Sequence, residues 1–354
     1  MRAHANDRDT RADRIIYMDW LRAIAAFCVV ATHAAQPVWQ STDISSSAWR
    51  VANIYESAVR WSVPVFVMIS GALMLKSRKS FRSIFQHNIV RQSITLFIWG
   101  VLYFAESVLY YKKGLSESVL VVLYSPLWFL FMLIGLYAII PFLRLIVEEK
   151  RRTEYFLLLS IAFQIVFPFA LRWLDRIIPQ AAYDFDVLLD DIHFKFGMGF
   201  SLYFVLGYYL NTYQISRRTE LLICIVGLAA FFVLPYEARK ESIAAGRIVS
   251  QYDNLTLGIM LESAFVFVVA KKLFTKNVPA VIQSAAACSL GVYLLQKIVF
   301  DVLGELRLNY QFVNPILSIP LISLGIFVFC WMLTQGFYFL MEKGKAALHK
   351  AENR

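Results

Sequence analysis

The sequence predicts an all-α, polytopic membrane bundle of about ten transmembrane helices with both termini cytoplasmic. Three observations predict it. The 354 residues are 59% hydrophobic and only 17% charged, a composition outside the soluble range. Apolar runs of about 17 to 25 residues, the length that crosses a bilayer, recur from Ile15 to Met341. Lysine and arginine concentrate in alternate connections, as cytoplasmic loops require.

Taken in order, spans are expected over residues 15–36, 54–75, 92–111, 127–147, 155–174, 193–210, 221–236, 255–270, 283–303 and 315–341. The first follows a polar stretch, residues 1–13, that lacks a signal-peptide core, so the first helix is expected to be retained. The second opens near Pro64 and runs through VFVMISGALML, and the third follows the basic connection KSRKSFRSIFQHNIVR. The fourth is LWFLFMLIGLYAIIPFL; the fifth follows Lys150, Arg151 and Arg152; the sixth holds YFVLGYYL. The seventh and eighth flank a polar outer loop at 237–254, the ninth holds SLGVYLLQKIV, and the tenth starts at Pro315. Outer loops at 37–53 and 175–191 are polar enough to be solvated and too short to be domains. The chain thus divides into a cytoplasmic tail at 1–13, one integral membrane domain at 14–342 and a basic tail at 343–354.

The net charge of +10 does not point to nucleic acid, because its distribution follows topology. About 21 of the 35 lysines and arginines fall in inner segments and about nine in outer loops. Cys28, Cys224, Cys288 and Cys330 lie singly in apolar runs, without the spacing of metal ligands or redox pairs, and read as small core residues. Neither a phosphate-binding loop nor HExxH or GxSxG is present, and no metal site is expected.

Chemistry must then come from ionisable groups inside the bundle, which are costly there and by default mark a functional lining. Asp19, Arg22 and His33 lie within the first span. Eleven residues separate Arg22 from His33, placing them within roughly 20° of one helix face and about 16 Å apart along the axis. A histidine can take and return a hydroxyl proton near neutral pH; the bland alternative is an Asp19–Arg22 pair that only neutralises itself. Glu56, or Glu106 at the outer end of the third span, is expected to orient His33 as a carboxylate does in a catalytic dyad, unless Glu56 simply pairs with Arg60 one turn on. Lys79, Arg82, His87 and Arg91 form a basic inner cluster suited to phosphate or to anionic lipid. Ser70 and Gly71 are small enough for close helix packing or for a ligand. Glu262, His193, Lys195, Gln296, Lys297 and Asp301 are further intramembrane polar groups, with Lys297 and Asp301 read as a structural i, i+4 pair.

At these residues the chain resembles acyltransferase family 3, the integral membrane acyltransferases of bacteria. DWLRAIAAFCVVATH resembles that family's opening helix, marked by a basic residue, ten intervening residues and a histidine, here Arg22 and His33. PVFVMISGALML, LWFLFMLIGLYAIIPFL, YFVLGYYL and SLGVYLLQKIV resemble its later segments in the expected order. The chain departs from the family where two arginines three apart are usual, since Asn88 and Arg91 stand there, and where Pro126 and Gln296 replace histidines.

The resemblance implies an O-acyltransferase of the bacterial inner membrane that takes an acyl group, commonly acetyl, from cytoplasmic acyl-coenzyme A (acetyl-CoA). It implies transfer to a hydroxyl of a cell-envelope polysaccharide or its lipid-linked precursor. His33 would be general base or acyl carrier, Arg22 and Asp19 would stand beside it, and Lys79, Arg82, His87, Arg91 and Ser70 would hold the donor. The expected partners are acyl-CoA, a glycan acceptor and membrane lipid, with self-association left open. The alternative from another class is a transporter of a small solute such as an amino acid, since paired intramembrane charges also suit a translocation path.

Overall fold

The computed structural model describes residues 15–124, 126–174, 178, 199–249, 251–306 and 314–352. Among these, the chain is helical throughout and forms no strand. Helices α1 (Ile16–Ser41), α2 (Ser47–Val59), α3 (Ser62–Met74) and α4 (Phe81–Tyr110) are followed by α5 (Leu115–Tyr124), α6 (Trp128–Ala138) and α7 (Ile140–Val147). Then come α8 (Lys150–Ile161), α9 (Phe167–Leu174), α10 (Ser201–Thr212), α11 (Arg217–Ala245), α12 (Leu257–Leu273), α13 (Ala280–Ala287), α14 (Ser289–Glu305) and α15 (Pro315–Glu352). Among the described residues, six helices are long and apolar enough to cross a membrane, or up to eight if each bent pair is one span. The expected sixth span begins in residues outside the described ones, with His193 and Lys195, and α12 has 17 residues.

Several expected boundaries move. The outer loop anticipated at 37–53 is mostly helix: α1 continues through Pro37 to Ser41, and α2 starts where the Ser46 hydroxyl caps the Trp49 amide at 3.0 Å. A short Asx turn at Asp43 remains between them, where the Ser45 hydroxyl and amide both donate to the carboxylate and hold it below its usual range. Buried Trp39, Trp49 and Ala52 explain the extra helix, since they pack together with Tyr252. The fourth span breaks at Ile139, two residues before Pro141, whose ring cannot accommodate a continuing helix before it. The ninth breaks at Cys288, and its two parts meet at 65°.

Helix α1 is the hub. It packs on α2, α3, α12, α13, α14 and α15, so the helix that carries Asp19, Arg22 and His33 is surrounded by other helices, as a charged span requires. By contrast, α4 and α15 turn Phe97, Ile98, Leu102, Phe337 and Leu340 outward, a face suited to lipid. Helices α3 and α10 meet backbone to backbone. A Cβ on Gly71 would lie 1.8 Å from the Phe204 carbonyl oxygen, and one on Gly207 would lie 2.0 Å from that of Met68. Only glycine fits at either position.

Candidate active site

Helix α4 carries one of the two π turns that bracket its α-helical stretch, at Phe85–Ile89. In a regular α-helix Ile84 and Ile89 would point about 140° apart, yet both are buried. The π turn absorbs one residue and brings them onto one side. From Ile89 the inward stripe continues through Gln92, Leu96, Trp99 and Tyr103 at spacings of three and four. Arg91, beside Gln92, is thereby carried to the edge of the bundle interior.

A cavity of about 200 Å³ opens there between α1, α3, α4, α6 and α14. Its polar lining is Arg22, Ser70, Arg91, Gln92, Ser289 and Tyr293. The apolar walls are Val29, Val63, Phe66, Phe129, Leu133 and Leu290. The Ser70 hydroxyl donates to the Phe66 carbonyl at 2.9 Å, and the buried Tyr137 stands nearby in the field of Arg22 and Arg91. Three residues singled out in the sequence, Arg22, Ser70 and Arg91, therefore share one cavity. Lys79, Arg82 and His87 do not line it; they are exposed on the adjoining surface. His87 Nδ1 lies 3.0 Å from the Ser83 carbonyl oxygen. Of the basic cluster, only Arg91 reaches the lining.

His33 lies one turn beyond this lining. Arg22, Val29 and His33 share a face of α1, and Val29 to His33 is about 6 Å along the axis. The half-buried imidazole meets the Phe300 ring edge-on at 6.4 Å between centroids. The Gln36 side chain is its hydrogen-bond partner, and the Arg60 guanidinium acts on it electrostatically. Arg60 is held by Glu56, with Nε and Nη2 at 2.7 and 2.5 Å from the same carboxylate oxygen, Oε2. Glu56 is fully buried, and its other oxygen, Oε1, has no partner among the described residues. Asn53, one turn before Glu56, accepts from Tyr252 at 2.6 Å and Trp39 at 3.2 Å and donates to the Pro235 carbonyl at 2.8 Å.

The second expected carboxylate is engaged elsewhere. Glu106 accepts from Lys297 at 2.8 Å, and Lys297 also reaches Asp301 at 2.5 Å and lies over the Tyr103 ring. Glu262 is fully buried, with neither carboxyl oxygen partnered among the described residues. Asp19 is buried near the N-terminal end of α1, where Trp20 stacks on Phe274. Arg144 donates to the carbonyls of Met74, Ser77 and Lys79 and fixes the basic connection between α3 and α4. The cysteines are all free, with Cys28, Cys288 and Cys330 buried. No metal-binding cluster occurs among the described residues.

Gln92, Ser289, Tyr293, Arg60 and Arg144 were not singled out by sequence reasoning as site residues. For Gln92 a signal exists: it is the polar member of an otherwise apolar helical stripe. Arg60 and Arg144 gain their partners through packing. A family model described as an acyltransferase domain matches residues 15–335. No curated protein and no solved structure matches the chain.

Proposed function

Since the chain belongs to acyltransferase family 3 and is a multi-helix membrane acyltransferase that transfers groups other than amino-acyl, we propose that it moves an acetyl-sized acyl group from cytoplasmic acyl-CoA to a hydroxyl of a cell-envelope polysaccharide or its lipid-linked precursor. The observation that carries this reading is the alignment of Arg22, the cavity wall at Val29 and His33 on one face of α1. Arg91 and Arg22 supply cations for the donor's phosphates and for charge developing on the reacting carbonyl. Lys79, Arg82 and His87 extend that field across the inner surface, and Asp19 orients Arg22. The donor, when bound, supplies an activated thioester.

His33 accepts the proton of the acceptor hydroxyl as that oxygen bonds to the acyl carbon. The carbon–sulfur bond breaks, and the imidazolium returns the proton to the leaving thiolate, so no net charge is left in the membrane. His33 can also carry the acyl group transiently, with the same overall balance. Gln36 fixes the ring, Glu56 holds Arg60 beside it, and Ser70 contributes a hydroxyl to the cavity wall. Glu106, through Lys297, belongs to the outer rim where an acceptor approaches. The topology that goes with this reading has ten spans, both termini cytoplasmic and the bacterial inner membrane as its location; reporter fusions at each connection test it.

The decisive experiment gives purified protein acetyl-labelled acetyl-CoA and envelope glycans. Label is expected in the glycan as an ester and is expected to vanish with His33→Ala. Wild-type transfer by His33→Ala refutes the role of the imidazole. Solute movement without donor consumption refutes the enzyme reading in favour of transport.

A further inference from the structure

Gln92 is out of place in a helix built only to pack. It stands in the buried stripe of α4 between Ile89 and Leu96, where an aliphatic side chain would satisfy the fold. Only 5% of it is exposed, and its Oε1 has no hydrogen-bond partner among the described residues. A buried amide oxygen left unpaired costs free energy that a methylene in its place would not. Gln92 also lines the cavity that holds Arg22 and Arg91.

Resting on the acyl-CoA reading above, we propose that the Gln92 carboxamide oxygen accepts an N–H of the donor's pantetheine arm and thereby sets the depth at which the thioester sits. The chemistry of the lining selects this group. A carboxamide oxygen carries no proton and would repel phosphate oxygens, whereas Arg22 and Arg91 in the same cavity would attract them. Phe66, Phe129 and Leu133 offer apolar walls, which suit methylenes. The arm is a methylene chain interrupted by secondary amides, so its N–H groups are the donors that match an orphan acceptor between such walls.

The test compares wild type with Gln92→Met, a near-isosteric change that removes the acceptor. Calorimetric titration of detergent-purified protein with coenzyme A, and with adenosine 3′,5′-bisphosphate as the armless fragment, reads the effect. Coenzyme A is expected to bind about three- to tenfold more weakly to the variant, the loss of one hydrogen bond. The armless fragment should behave alike in both proteins, and the variant should unfold at the same temperature as wild type or higher. Equal coenzyme A affinity in both proteins overturns the inference while leaving the acyl-CoA reading intact, as does an equal loss for both ligands or a variant that fails to fold. Wild type without any affinity for coenzyme A removes the acyl-CoA reading itself.

Discussion

Replacing Arg60 with alanine tests the polar cluster around His33 most directly. The Glu56 carboxylate is fully buried, and both Arg60 contacts, at 2.7 and 2.5 Å, fall on its Oε2. At an effective dielectric near 20, charges about 2.7 Å apart attract by roughly 6 kcal/mol before desolvation is subtracted. The Arg60 side chain is 22% exposed, so part of that attraction is screened. Removing one member of such a pair costs about 3–5 kcal/mol, because the other charge is left buried alone. Removing both, as in Glu56→Leu with Arg60→Leu, is expected to cost at most about 1 kcal/mol. Unfolding titrations with SDS in mixed micelles, followed by tryptophan fluorescence, measure the four corners of the cycle. Trp49 and Trp61 flank the pair in sequence and report on it locally. A single replacement costing less than about 1 kcal/mol, or a double replacement as costly as the single one, refutes the reasoning.

Other expectations are as specific. Gly71→Ala, with its Cβ 1.8 Å from the Phe204 carbonyl oxygen, should destabilise by about 3 kcal/mol or more; the same SDS titration checks it, and a loss under about 1 kcal/mol contradicts the contact. Arg144→Ala releases three carbonyls at the end of α3 and in the basic connection after it, so trypsin should cut after Lys76, Arg78 or Lys79 several-fold faster than in wild type, and Arg144→Lys should rescue only partly, since an ammonium cannot reproduce the planar fork. Palmitoyl-CoA should be a far poorer donor than acetyl-CoA, because the walls of this cavity have to take the acyl chain as well as the donor arm. Comparable turnover of the two donors would mean that the acyl chain lies outside this cavity.

Much of the bundle is legible in the chain because hydrocarbon forces a simple pattern: a long apolar run has to be a helix. The face of α1 shared by Arg22 and His33 follows from 3.6-residue periodicity alone. What the pattern conceals is the ends and breaks. Polar residues 42–53 and 237–245 look like solvated loop, yet most of them are helix, because Trp49, Ala52 and Ala238 are anchored by partners distant in sequence. Apolar composition likewise does not reveal where a helix is re-phased, so the π turn before Gln92 has no clear mark in the chain. Ser289 and Tyr293 reach the cavity by the bend at Cys288, a tertiary feature. Glu56 and Arg60 could be paired from spacing, but nothing in the chain indicates that their guanidinium faces the imidazole of another helix.

The seam between α3 and α10 bears on how such a protein can work. Each glycine sits against a main-chain oxygen of the opposite helix, so the two helices interlock like meshed gear teeth: sliding by even one residue, about 1.5 Å, would drive side chains into backbone. Alternating-access carriers depend on one bundle rocking past another. Here a rigid keel runs next to Ser70 and the cavity, and chemistry at a fixed centre, with reactants arriving from either side, is the mode of operation that such stiffness favours.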